Sequence, residues 1–124
     1  MGLLQKVESK KLTSNIPPNL RDSEGFWFGL TKRARVIMYN KKSVKKSDLS
    51  TIEDLATSKW KGRLLIRSSS NSYNQSLVAS LIVAHGQDET ARICNGLVEN
   101  MARAPKGNDR DQMRGVIAGL ADVC

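Results

Sequence analysis

Six consecutive polar residues, Ser68-Ser69-Ser70-Asn71-Ser72-Tyr73, separate an apolar run (Leu64, Leu65, Ile66) from an apolar-periodic stretch (Leu77, Val78, Leu81, Ile82). Hydroxyls, a carboxamide and a phenol concentrated between a strand-like and a helix-like segment have the chemistry of an oxyanion site. A helix N-terminus adds unpaired N–H groups and a partial positive charge, which suits a carboxylate, phosphate or carbonate. The plainer reading is a helix cap with a polar loop, and the residues alone favour it. A second helix start, Gly107-Asn108-Asp109-Arg110, has the same two readings. Asn108 either caps the helix or donates to an anion. Asp109 and Asp111 complement the helix dipole, and Arg110 balances charge or pairs with a surface acid. No GxxxxGK[ST] stretch is present, which argues against P-loop nucleotide binding.

Catalysis is hard to assemble from this set. The single histidine, His85, falls at a helix end, where it meets the dipole favourably. Asp88-Glu89, Asp109 and Asp111 all fall at helix starts, where a structural role suffices. No enzyme is expected. Cys94 and Cys124 have no metal-ligand spacing, and nothing in their separation requires a disulfide.

The elements that must position these residues follow from pattern. Residues 1–24 are polar and irregular, broken by Pro17-Pro18. Gly25 and Gly29 bracket Phe26-Trp27-Phe28 and mark turns or close backbone approach. Ala34 to Tyr39 is β-rich and predicts a strand, followed by a lysine-rich loop over 41–47. Ser50-Thr51-Ile52-Glu53 has the form of a capping box and predicts a short helix to Ala56. Arg63–Arg67 reads as a buried strand, and a helix runs from Tyr73 to His85, with Gly86 as its terminator. Asp88 caps a further helix whose apolar positions are Ala91, Cys94, Leu97, Val98 and Met101. Asn108 caps the last helix, with Met113, Val116, Ile117 and Leu120 on its apolar face. Ala121–Cys124 reads as the opening of one more strand. Alternating strands and helices give an α/β class, a sheet flanked by helices.

The 124 residues carry a net charge of +8 and are 40% hydrophobic, enough for one domain with a core. No apolar run approaches the roughly 20 residues that cross a bilayer, and the start, MGLLQKVESKK, has no long apolar stretch of the signal-peptide kind. The densest basic cluster, NKKSVKKSD at 40–48, contains no aromatic for base stacking, so nucleic acid is not the expected partner.

The stretch IPPNLRDSEGFWFGLTKRARVIMYNK, continued by TIEDLATSKWKGRLLIRSSSNSYNQSLVASLIVAHG and GLVENMARAPKGNDRDQMRGVIAGLADV, resembles the ferric-iron substrate-binding proteins of bacterial ABC transporters. The resemblance covers nearly the whole chain. It implies a class II periplasmic-binding-protein fold, two α/β lobes joined by crossing strands with the metal between them. Residues 1–40 would be the inter-lobe segment, with GLTKRARVIMYN as a crossing strand, and 41–124 a partial second lobe, incomplete at both ends. It implies a periplasmic location, an inner-membrane ABC permease as partner, and ferric iron as ligand. Tyr73 matches an iron-binding tyrosine of some members. Ser69, Ser70, Asn71 and Asn108 match the side where some relatives hold a synergistic anion, and Tyr39 is expected to pack. The family's adjacent tyrosine pair would follow the segment resembling GLADVC, where this sequence ends, so weak or absent iron binding is expected of these residues alone. An uncovered crossing strand also predicts a homodimer through GLTKRARVIMYN. Two other readings stay open: a small basic domain binding nucleic acid or another acidic partner, and the effector lobe of a transcription regulator.

Overall fold

The computed structural model describes residues 2–124 and divides into two compact units, one up to Arg35 and one from Val36 to Cys124.

In the first unit, helix α1 (Lys10–Asn15) forms within the stretch expected to be irregular. Ser9 caps it, its hydroxyl accepting from Leu12 N at 3.3 Å. Capping thus decides a segment whose polarity alone suggested a loop. Pro17 and Pro18 end it and open a single 3-10 turn, Pro18–Leu20. The chain then doubles back: Asp22 N donates to Trp27 O at 3.0 Å, and Gly29 N to Leu20 O at 2.8 Å. Both glycines are required by close approach. Gly25 adopts φ 87° beneath the Val7 carbonyl, and a Cβ on Gly29 would lie 2.9 Å from Leu20 O.

In the second unit, three helices surround four short extended segments. Helix α2 (Ser72–His85) and helix α3 (Gln87–Glu99) are separated by Gly86 alone, whose φ of 81° reverses the chain as expected. Asp88 therefore lies inside the first turn of α3 and is not its cap. Helix α4 (Asp109–Ile117) begins at Asn108, whose Oδ1 accepts from Arg110 N at 2.9 Å and Asp111 N at 3.3 Å, the cap the sequence predicts. The Ser50–Glu53 capping box does not form. A 3-10 turn, Glu53–Ala56, takes its place, and the Asp54 carboxylate accepts from Thr51 N at 3.3 Å.

Among the described residues, β pairing is limited to isolated bridges: Arg21 antiparallel to Phe28 in the first unit and, in the second, Leu64 parallel to both Val123 and Met101 and Tyr39 antiparallel to Val123. The predicted strand over Ala34–Tyr39 is reduced to this contact, with Met38 and Cys124 exchanging two 2.9 Å bonds and Asn40 N donating to Asp122 O. Its pairing partner is the short segment 122–124, which lies opposite 38–40. The buried run around Leu64 is better satisfied: Leu65 N donates to Val123 O at 3.0 Å, and Ala102 N to Leu64 O at 2.8 Å.

Side-chain alternation along this run builds two cores. Leu64 joins Val44, Trp60, Leu81, Ile93 and Leu97, against α2 and α3. Leu65 joins Val116 and Ala121, against α4. The inward face of α3 is Thr90, Ile93 and Leu97, whereas Val98, expected inside, is 62% exposed. In α4 the buried positions are Gln112 and Val116, and Ile117 is 85% exposed. The shift follows from α4 being only nine residues long and turning one side to Leu65.

Candidate functional site

The polar loop lies where the Leu64–Leu65 run gives way to α2. Asn71 is the N-cap, its Oδ1 accepting from Tyr73 N at 2.9 Å. The Ser68 and Ser70 hydroxyls bond each other at 2.8 Å. Asn74 anchors the loop from the first turn of α2, donating from Nδ2 to Arg67 O at 3.0 Å and Ser68 O at 3.3 Å. Ser69, Ser70 and Tyr73 are exposed, and Asn71 is half-buried.

The start of α4 is brought to the same place. Ser68 N donates to Gly107 O at 3.2 Å, one residue before the Asn108 cap. A Cβ on Gly107, whose φ is 70°, would strike the Asp111 carboxylate that closes the capping box on Asn108 N. Two helix N-termini therefore sit side by side, those of the 14-residue α2 and the nine-residue α4. Each presents a partial positive charge.

Arg67 binds them together. Its Nη1 donates to both oxygens of Asp109, at 2.8 and 2.7 Å, while its guanidinium carbon lies 5.3 Å from the centre of the Tyr73 ring. Arg67 is only 8% exposed, and its Nε is buried without a hydrogen-bond partner. Burying a guanidinium is costly unless it is paired, and Asp109 supplies the pairing. Arg67 and Asp109 as a pair are the feature that sequence reading missed. The available signal was a cation closing an apolar strand immediately before a polar loop.

The sequence-predicted site residues thus gather in one place. Tyr73, Ser69, Ser70 and Asn71 share a loop and a helix turn, and Asn108 adjoins them through Gly107. Oδ1 of Asn71 and Oδ1 of Asn108 are both occupied by capping, so only their Nδ2 groups are left to donate to a ligand. Arg110 forms no ion pair among the described residues, and exposes its side chain. Tyr39 lies apart and packs at the edge of the main core. His85 is elsewhere too, its Nε2 2.9 Å from Glu53 Oε1. Glu53 is held below the usual carboxylate range by its own backbone N–H, then by Thr51 and His85. Both cysteines are free thiols; burial, and secondarily Asp109, push the Cys124 thiol up.

Paired helix N-termini thus border a polar loop at the end of a buried extended run. Residues 1–117 match the family model of the bacterial extracellular solute-binding proteins, and the chain belongs to that family. Iron uptake protein A1 of Synechocystis sp. is 57% identical over 122 residues, which are 98% of this chain and 34% of that protein. The solved structure of Trichodesmium (IdiA) (FutA) in complex with iron and citrate ligands superposes with a TM-score of 0.91 at 56% identity, covering 98% of this chain and 39% of that one. The ferric binding protein from Campylobacter jejuni gives a TM-score of 0.91 at 45% identity, with 98% and 39% covered. The chain thus spans 34% of the length of the first of these relatives.

Proposed function

We propose that this chain is part of a periplasmic ferric-iron receptor that hands its cargo to an inner-membrane ABC permease, and that Tyr73 supplies one iron ligand. The observation that carries this reading is the exposed Tyr73 phenol, 48% accessible, mounted on the Arg67 guanidinium at the junction of two helix N-termini. Ferric iron is a hard cation that favours anionic oxygen, and binding it releases the phenol proton. Ser69, Ser70 and Asn71 precede Tyr73 in the same loop, and Asn108 adjoins that loop through the Ser68–Gly107 bond; a synergistic anion would be received there. The relatives with iron and citrate, and with iron uptake in their names, support the same cargo.

Residues 41–124 act as part of the second lobe and 1–40 as the inter-lobe segment. The four bridged segments around Leu64 and Val123 are the seed of a sheet flanked by helices on both faces. In the whole receptor, closure of two lobes on the ligand gives affinity and signals loading.

The residues present are not a complete ferric site. Among the described residues no group of three or more His, Cys, Asp or Glu could hold a metal. One phenol falls short of the about six ligands usual for octahedral oxygen sites. The chain alone therefore binds ferric iron weakly. The decisive experiment replaces the matching third of the Synechocystis relative with residues 2–124. The chimera should take ferric iron from citrate with a visible phenolate-to-iron absorption band, and Tyr73→Phe should weaken both band and affinity. A folded chimera whose iron binding ignores Tyr73→Phe would overturn the assignment.

The segment GLTKRARVIMYN carries a further partner proposal. Leu30, Val36 and Met38 along it are 79%, 65% and 43% exposed. Pairing of this segment between two copies would cover them, giving a homodimer. Light scattering at high concentration should show twice the chain mass, and a monomer there would refute the pairing.

A further inference from the structure

We propose that the lysine-rich turn over 41–46, with Lys61 on the neighbouring turn, is an electrostatic docking face for a surface of anionic lipid headgroups. The turn is held from beneath. Val44 is 4% exposed and sits in the main core, so the lysines on either side of it are forced outward. Backbone bonds fix both ends: Val44 N to Asn40 O at 3.0 Å, and Asp48 N to Lys45 O at 2.9 Å. Lys41, Lys42, Lys45 and Lys46 are all exposed.

The adjoining chain joins this face. Lys59 Nζ reaches Asp48 at 3.0 Å, and Arg63 Nη2 donates to Ser43 O at 3.4 Å, which places Lys61 between those two anchors. The nearby acids are already committed. Asp48 pairs with Lys59, and Asp122 pairs with Arg63 at 2.6 Å while accepting from Ser43. Lys41, Lys42, Lys45, Lys46 and Lys61 form no ion pair among the described residues. Four exposed lysines thus crowd this ordered turn, with Lys61 exposed on the neighbouring one, in a chain of net charge +8, and Asp48 is the one acid that reaches Lys45.

The chemistry of the patch selects the partner. It is built from lysines, compact hydrated charges without the planar fork that reads a single phosphate or carboxylate. Residues 40–48 contain no aromatic ring to stack a base or wedge into a groove. A diffuse array of anionic headgroups asks for charge density alone, and the family's extracellular setting places such a membrane within reach. The inference does not depend on iron binding.

The test is co-sedimentation of the whole chain with vesicles of equal parts phosphatidylglycerol and phosphatidylcholine, against pure phosphatidylcholine. Binding is expected only to the anionic vesicles and should fall at least roughly tenfold from about 50 to about 300 mM NaCl. Each lysine at an anionic surface multiplies affinity roughly fivefold. Changing Lys41, Lys42, Lys45 and Lys46 together to Gln should therefore cost a factor on the order of several hundred. The control carries the same charge change elsewhere: Lys10→Gln, Lys11→Gln, Lys106→Gln and Arg110→Gln. It should retain most of the binding. The double variant Lys41→Gln/Lys42→Gln gives an intermediate loss and guards against misfolding, with circular dichroism confirming its structure. Equal losses in the patch and control variants would overturn the proposal, leaving net charge as the cause. So would the absence of binding to anionic vesicles, and retention on duplex DNA without vesicle binding would assign the patch to nucleic acid instead.

Discussion

Arg67 and Asp109 clamp the starts of α2 and α4 together through two hydrogen bonds of 2.8 and 2.7 Å. The clamp is lopsided: the Arg67 side chain is 9% exposed and that of Asp109 67%. Water screens the acid, so the pair is worth less than a fully buried one. Removing the carboxylate still leaves a buried cation without its partner. Asp109→Asn is expected to lower stability by about 1–2 kcal/mol. Arg67→Lys should lower it by a similar amount, because an ammonium cannot span both Asp109 and the Tyr73 ring. Urea unfolding of the two variants and of the double variant would measure the coupling. Additive losses would show that the two residues act separately.

Asn100 makes a sharper prediction. It is 2% exposed, and its Nδ2 donates to Leu55 O at 2.8 Å and Thr57 O at 2.6 Å. Its own carbonyl accepts from Leu64 N at 3.2 Å. One side chain thus ties the 3-10 turn at Glu53–Ala56 to the end of α3, next to the buried run that leads to the site. Asn100→Ala should cost about 1–3 kcal/mol, because the buried Leu55 carbonyl loses its donor, whereas Thr57 O keeps the Trp60 N–H. Asn100→Asp is nearly isosteric but replaces the donor with a carboxylate facing two carbonyls. It should be the worse of the two at neutral pH, as denaturant midpoints would show.

How far the site could be read from sequence depends on the range of the interaction that made each part. Asn108 and Gly86 were legible because caps and terminators act within a few residues, whereas Asn71, read as an anion donor, turns out to be the cap of α2. The loop before Tyr73 was legible as the entry to a helix for the same reason, but the strand expected over Arg63–Arg67 forms only the isolated bridges at Leu64. Asp109 was readable only as a dipole partner. Its pairing with Arg67 spans 42 positions and has no local signature. Ser50–Glu53 shows the opposite failure: the local pattern is present, but the segment closes as a 3-10 turn packed under α3. The face of α3 was misjudged because Val98 and Ile93 are equally apolar, and only tertiary contact decides between them.

Two helical glycines separate packing from propensity. Alanine is intrinsically better in a helix by about 1 kcal/mol. At Gly96 in α3, an added Cβ would run into the carbonyl oxygen and Cβ of Ala56, on the facing 3-10 turn. Backbone cannot step aside cheaply, so Gly96→Ala should be destabilising by about 1–2 kcal/mol net. At Gly115 in α4 the nearest atom is Leu65 Cδ1, the end of a flexible side chain. Gly115→Ala should therefore be close to neutral, within about 0.5 kcal/mol. Thermal melts of the pair would decide, and equal effects would mean that α3 does not pack on Ala56 this closely.

Acid sensitivity should centre on Asp122. Its carboxyl is held below the usual 3.8 by the Ser43 hydroxyl first and the Arg63 guanidinium second, against an opposing effect of burial. The same residue's backbone belongs to the central pairing, with Asn40 N donating to Asp122 O and Asp122 N to Arg63 O. A lowered folded-state value means that the native protein binds the proton less readily than the unfolded chain. The stabilisation is therefore fully present above the unfolded value and disappears as pH falls through the lower, folded one. Asp48 and Glu53 are lowered as well, so the parent's acid limb is a sum over several groups. Subtracting the Asp122→Asn variant isolates one of them. At neutral pH the variant should be less stable than the parent, and the gap should close as pH drops below about 3.8. Urea midpoints of both proteins at intervals from neutral to acidic pH give this difference directly. A gap that stays constant down to the lowest pH would show that the Asp122 charge contributes nothing and that the variant acts through its hydrogen bonds alone.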